Sequence, residues 1–140
     1  MKNQSTKKLG FIMAIMIVVI MVGFFMNKSK SIHPNISVAN VNYNQAIASP
    51  LLIVGEARGT WFFEADFPIF LEDEEGNQIA VAIAHAQNDW MTEDFVPYKA
   101  KLEFNVEEDI KGILVFKKDN PSDLPEYDDE LRIPVYIEAK

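Results

Sequence analysis

Residues 61–71 read Trp-Phe-Phe-Glu-Ala-Asp-Phe-Pro-Ile-Phe-Leu, and this stretch carries the clearest strand pattern in the chain. Successive side chains of a β-strand point to opposite faces. The pattern therefore predicts one strand over 61–71 with an apolar core face. That face holds Trp61, Phe63, Ala65, Phe67, Ile69 and Leu71. Phe62 and Phe70 are then expected on the opposite face, among Glu64, Asp66 and Pro68.

Further short segments with the same alternation lie on both sides of this stretch. They are residues 36–43, 51–56, 78–86, 96–104, 113–116 and 131–137. In 78–86 the alanines share one face, so that face is expected to be closely covered. Pro134 cannot donate to a ladder, which predicts a sheet edge or a bulge. About seven strands with no helix signal after Met26 predict an all-β, immunoglobulin-like β-sandwich of two antiparallel sheets.

The turn at 72–77 connects two of these strands. Gly76 and Asn77 suit it, because both residue types tolerate positive φ.

An uninterrupted apolar run at residues 9–26 indicates where the domain is located. At ~1.5 Å per residue it reaches roughly 27 Å, close to the thickness of a bilayer core. Lysines concentrate before it, which predicts a cytoplasmic N-terminus. We therefore expect a single-pass cell-membrane protein with a cytoplasmic segment at 1–8, a transmembrane signal anchor at 9–26, a linker at 27–35 and an extracytoplasmic domain at 36–140. A cleaved signal peptide, cut before Ile32, is the alternative.

The charge of the chain disfavours two classes of partner. The formal net charge is −8, and all 21 acidic residues lie at or beyond Glu56. Nucleic acids and anionic lipid headgroups both require a basic footprint, so direct binding to either is disfavoured. The chain contains no cysteine, so the exported domain must fold without disulfides.

Seven residues are the candidates for partner binding. They are Arg58, Phe62, Glu64, Phe70, Trp90, Met91 and Asn120. Arginine and aromatic residues dominate interface hot spots, and Phe62 and Phe70 are the better candidates for an exposed apolar patch. The alternative is that a neighbouring loop covers them. Trp61 and Phe63 are interpreted as core. Trp90 is expected in a loop, where it either stacks on a partner or closes the end of the sandwich.

Catalytic and metal-binding patterns have little support. His33 lies in the predicted linker and His85 near a strand end, and no Ser/His/Asp arrangement or His-rich metal cluster can be recognised. We therefore predict no enzyme activity, no cofactor and no metal site. Residues 119–130 contain six acidic side chains, so a calcium site there, joined by the turn at 73–75, is a chemical alternative that the sequence leaves open.

Three stretches resemble one known family, in the same order. They are residues 49–64 (Ser-Pro-Leu-Leu-Ile-Val-Gly-Glu-Ala-Arg-Gly-Thr-Trp-Phe-Phe-Glu), 86–92 (Ala-Gln-Asn-Asp-Trp-Met-Thr) with 95–98 (Phe-Val-Pro-Tyr), and 118–126 (Lys-Asp-Asn-Pro-Ser-Asp-Leu-Pro-Glu). The chain resembles the immunoglobulin-like domain of the bacterial spore-germination-associated (Gmad) type, second kind, over about residues 36–137. The resemblance implies an immunoglobulin-like sandwich in envelope proteins, often behind a membrane anchor, without enzyme activity. Asp123 departs from the family, which more often has glycine there.

The function expected from these features is binding or scaffolding in the cell envelope, with a protein partner preferred over a glycan. The alternative is a passive spacer or structural subunit of an envelope complex. A wall-active enzyme ranks third.

Overall fold

The computed structural model describes residues 33–140, and this part of the chain is built from β-strands. The strands are β1 Ile36–Val38, β2 Gln45–Ile47, β3 Leu51–Arg58, β4 Asp66–Asp73, β5 Gln78–Ala86, β6 Phe95–Leu102, β7 Ile110–Lys117 and β8 Glu130–Ile137. Two single 3₁₀ turns, Gly59–Trp61 and Pro125–Tyr127, complete it. No helix within 33–140 is long and apolar enough to cross a bilayer. The predicted transmembrane segment at 9–26 lies outside the described residues.

The strands are hydrogen-bonded in the order β1-β3-β6-β5-β4-β7-β8-β2. β5 pairs with β6 only through His85↔Lys99 and Ala86↔Tyr98. The sheet therefore divides there into a side made of β1-β3-β6 and a side made of β5-β4-β7-β8-β2. Buried side chains from both sides form one core cluster, so the two sides close on each other.

This arrangement confirms the predicted all-β, immunoglobulin-like fold. If β1 and β2 are counted as two halves of the first strand, the chain order places strands A, B and E on one side and C, F and G on the other. β2 pairs with β8 in parallel, whereas the other neighbouring strands are antiparallel.

Several details of the sequence pattern are confirmed. The turn after β4 closes through Asp73, and Gly76 has a φ of 86°. Pro134 pairs with Ile113 of β7 and lies where the pairing with β2 begins, since its carbonyl accepts from the Asn44 N–H (2.7 Å) and the β2 register starts at Val135.

The alanine face of β5 is covered, as the sequence predicted. Ala82 and Ala84 are buried and pair with Ile69 and Phe67 of β4. Small side chains therefore lie beside large ones on the core face, which fills the space without overpacking.

The prediction for residues 61–71 was wrong in its first half. The strand begins at Asp66, and a two-residue turn precedes it in which Glu64 and Ala65 have φ values of 50° and 70°. The 3₁₀ turn and these two residues interrupt the alternation before β4. As a result Phe62 is buried (4% exposed) and Phe63 is 41% exposed, the reverse of the expectation, whereas Trp61 is core (1%) as predicted.

Candidate functional site

Six of the seven candidate residues lie at one end of the domain, which we call the loop end. It consists of the last residue of β3 (Arg58), the β3–β4 loop (59–65), the β5–β6 loop (87–94) and the β7–β8 loop (118–129). Backbone hydrogen bonds join these loops, since the Gly59 N–H donates to the Asp94 carbonyl (3.0 Å) and the Asp119 N–H to the Trp61 carbonyl (3.0 Å). The loop end is therefore one connected surface.

Arg58 is engaged within the domain. Its guanidinium carbon lies 4.1 Å from the centroid of the Phe95 ring, a cation–π arrangement. Its Nη1 also donates to the Glu93 carbonyl at 3.3 Å. The side chain thereby ties the end of β3 to the start of β6.

The β5–β6 loop packs its backbone against Gly59. A Cβ at Gly59 would lie 1.8 Å from the Thr92 carbonyl oxygen and 2.3 Å from that of Trp90, so only glycine allows this approach. Trp90 is half-buried and packs against the core. This favours its interpretation as a plug at the end of the sandwich, whereas Met91 beside it is 75% exposed.

Asn120 organises the β7–β8 loop from within. Its side-chain amide donates to the Leu124 carbonyl and to Asp128 Oδ1, both at 2.9 Å. Asp123 has a φ of 56°, a conformation that glycine adopts without strain. That geometry explains why glycine suits this position in the family that the sequence resembles.

The remaining loop-end candidates differ in accessibility. Phe62 is buried against Phe67, with ring centroids 5.3 Å apart, so its assignment to an exposed patch was wrong. Glu64 is exposed in the two-residue turn before β4. Among residues 33–140, no group of three or more His, Cys, Asp or Glu side chains is arranged to hold a metal ion.

The chain enters the domain at this same end. His33 Nε2 lies 3.1 Å from Asp129 Oδ1, and the His33 ring meets the Trp61 ring edge-on at 5.2 Å. The Asn35 carbonyl accepts a hydrogen bond from the Arg58 N–H at 2.8 Å. Residues 33–35 of the predicted linker thus already contact the domain.

Phe70, the seventh candidate, lies on a different surface, which we call the side face. This is the outer side of β5, β4, β7 and β8. The strand register places Phe70 between Val81 of β5 and Val115 of β7. Phe70 is half-buried, and it borders exposed apolar side chains.

Exposed apolar side chains lie at both margins of the side face, with Val81 and Ile83 on β5 and Tyr136 on β8. Val81 is 47% and Ile83 44% exposed, and Ile83 pairs with Pro68 of β4. On the opposite margin Arg132 of β8 contacts Glu72 (3.0 Å) and Glu130 (3.3 Å). The face therefore has an uncharged apolar patch where β5 meets β4 and a group of paired charges around Arg132.

Sequence reasoning did not identify Val81 and Ile83 as site residues. Alternation shows that two sets of residues face opposite ways, but it does not show which set is inside. The signal was present in the alanines of β5, because two small residues opposite large ones indicate the crowded core face.

Comparison with known proteins gives one match. A family described as the immunoglobulin-like domain of bacterial spore germination matches residues 35–124. No curated protein and no solved structure shows significant similarity. The family match ends in the β7–β8 loop, and β8 follows it with eight residues in register against β7.

Proposed function

This chain belongs to the family of the immunoglobulin-like domain of bacterial spore germination, and from that membership we propose that it is a non-catalytic binding or scaffolding module of the cell envelope. In this proposal residues 9–26 hold it in the cell membrane and the domain lies outside the cell. Its partner is an envelope protein, which it contacts through the side face.

The composition of the side face carries the proposal. Val81 and Ile83 are both exposed on β5, where they pair with Phe70 and Pro68 of β4, and none of these four side chains carries a charge. The chain as a whole carries a net charge of −8. Contiguous exposed apolar surface on a soluble domain marks interaction sites, and charged residues are depleted in the centre of interfaces.

The entry point of the chain supports the choice of the side face over the loop end. Six residues, 27–32, separate the predicted anchor from His33, and they span at most roughly 20 Å at full extension. The loop end would therefore face the membrane. The strands lead away from it, so the side face would point along the membrane, where neighbouring envelope proteins lie.

A cross-linking pull-down from native membranes tests this assignment. The full-length parent is compared with Ile83→Lys on the side face and Met91→Lys at the loop end, each checked by thermal unfolding. We expect the parent and Met91→Lys to capture the same partner and Ile83→Lys to lose it. Loss in Met91→Lys alone would transfer the site to the loop end.

The alternative function, a passive spacer within a larger envelope complex, predicts a different result. In that case no reproducible partner is captured by the parent, or both variants retain it.

The mass of the mature protein and its resistance to alkaline extraction from membranes test the anchor separately, because cleavage before Ile32 would release the domain.

A further inference from the structure

β5 has an open edge beside the side face. β6 pairs only with His85 and Ala86 at the end of β5. Within residues 33–140 the preceding part of β5 is paired with β4 alone. Residues 80–84 read Ala-Val-Ala-Ile-Ala, with no charge and no proline. Such an edge presents unpaired backbone groups to a further strand, and the usual protective charges are missing from it.

The hydrogen bonds at the end of β5 show which residues present their backbone to that edge. The Ala86 N–H donates to the Ala65 carbonyl on the β4 side, whereas the Gln87 N–H donates to the Pro97 carbonyl on the β6 side, both at 2.8 Å. Backbone groups alternate sides along an antiparallel strand. Val81 and Ile83 therefore direct both their N–H and C=O groups to the open edge.

The open segment has defined limits. On one side β6 takes over at His85. On the other side Leu71 pairs with Ala80 and Glu72 with Gln78, which leaves Ile79 as a bulge. A bulge bends a strand and ends regular pairing. Residues 80–84 remain, and their midpoint is Ala82.

We propose that a second copy of this chain pairs with the β5 edge, antiparallel, about a two-fold axis at Ala82. In this register Val81 of each copy lies opposite Ile83 of the other. Each such pair exchanges both N–H···O bonds, because both residues direct their backbone groups to the edge. The pairing fills the open segment and stops where the bulge and β6 require it to stop.

The side chains favour a second copy as the occupant. The sequence of 80–84 reads almost the same in both directions, so two-fold pairing places β-branched residues opposite each other and alanine opposite alanine. Cross-strand β-branched pairs stabilise antiparallel sheets. On the outer side, the rows Phe70–Val81 and Pro68–Ile83 of one copy would continue into the other copy.

Charge and location also favour a second copy. Two chains with a net charge of −8 each repel one another over most of their surface, and the uncharged β5 edge offers a contact without opposed carboxylates. The interface is small, so it depends on a high local concentration, which tethering to one membrane supplies. In this respect alone the inference rests on the proposed function.

Engineered cysteines test the register, because the chain has none of its own. Full-length copies with Val81→Cys and with Ile83→Cys, carrying different tags, are expressed together and oxidised in membranes. In the proposed register the Cα atoms of Val81 and of the opposed Ile83 lie about 5.5 Å apart, within reach of a disulfide. The diagonal pairs Val81–Val81 and Ile83–Ile83 lie at roughly 7–8 Å, beyond that reach.

The expected result is a cross-link in the mixed pair and loss of it in either homotypic pair. Leu52→Cys on β3, which is at least as exposed, controls for random collision. Equal cross-linking of all combinations, or none in the mixed pair, would overturn the two-fold register at Ala82.

Proline at Val81 gives a second test, since the N–H that it removes faces the open edge. Val81→Pro in the copy with Ile83→Cys should abolish the link to a Val81→Cys copy, and an unchanged link would contradict the proposal.

The outcome separates this inference from the proposed function. If the mixed pair gives no cross-link while Ile83→Lys still abolishes capture of an envelope protein, the side face binds another protein and self-pairing is wrong. If the mixed pair cross-links and no other partner is captured, the second copy is the partner.

Discussion

The candidate residues of the loop end and the exposed apolar residues of the side face have different structural roles. At the loop end, Arg58, Trp90 and Asn120 each hold a loop in place through cation–π, packing or hydrogen-bond contacts. On the side face, Val81 and Ile83 project outward from a regular strand, and the adjacent alanines supply its core contacts. A residue type that suits an interface is therefore weak evidence of binding where the same residue also stabilises a loop.

This difference predicts that substitutions at the loop end mainly change the free energy of unfolding, whereas substitutions on the side face mainly change binding. The largest difference in stability is expected between variants of Phe62 and Phe63, whose exposure is the reverse of what the alternation predicts. Phe62→Ala should reduce the free energy of unfolding by about 3–5 kcal/mol, since it empties a buried site against Phe67. Phe63→Ala should reduce it by about 1 kcal/mol or less, because that ring is substantially exposed.

Urea denaturation of the two variants gives the comparison directly. Equal losses, or a larger loss for Phe63→Ala, would contradict the interruption of the alternation before β4.

The second effect concerns the contact between two loops. Gly59→Ala should destabilise the domain by about 1–3 kcal/mol, because its Cβ would collide with the carbonyl oxygens of Thr92 and Trp90. Thr60→Ala, at the exposed position beside it, is the matched control and should change little. Melting temperatures of both variants provide the measurement, and a neutral Gly59→Ala would show that the β5–β6 loop is not held there.

A smaller effect is expected at Tyr98, which joins β6 to the first strand. Its hydroxyl donates to the Ser37 carbonyl at 3.0 Å. Tyr98→Phe should therefore reduce the free energy of unfolding at neutral pH by about 1 kcal/mol.

Alkaline pH sharpens this prediction. Burial raises the pKa of Tyr98 above its ordinary value of 10.0. A pKa that is higher in the folded state gives stability that is fully present below pH 10 and is lost as the pH rises above it. The parent should therefore lose stability above pH 10 more steeply than Tyr98→Phe. Parallel pH profiles of the two proteins would contradict the role of Tyr98.

The sequence predicted the regular strands well and the connections poorly, for physical reasons. In β6 and β8 alternation alone places Val96, Leu102 and Ile133 in the core, because each strand keeps an extended backbone throughout. Between β3 and β4 the backbone takes a 3₁₀ turn and then two positive φ values at Glu64 and Ala65. Neither residue type indicates positive φ, so the sequence pattern could not show that the strand is interrupted before Asp66.

The candidate site shows the same limit. Its loop-end residues follow from family-like motifs that lie next to one another in the fold, and six of seven come together there. Their contacts with one another could not be read from the sequence, since Arg58 and Phe95 are far apart along the chain. The open edge of β5 depends on which strand pairs with it, and strand pairing is a property of topology and not of local pattern.

The smallest effect on stability should come from the side face, where we expect the clearest effect on binding. Ile83→Thr keeps a β-branched residue at an exposed strand position, so the free energy of unfolding should change by no more than about 0.5 kcal/mol. Ala84→Val, at the adjacent buried position opposite Phe67, should destabilise by about 1–3 kcal/mol through overpacking. Chemical denaturation distinguishes the two, and a large loss for Ile83→Thr would mean that the side face is part of the core and is not free for a partner.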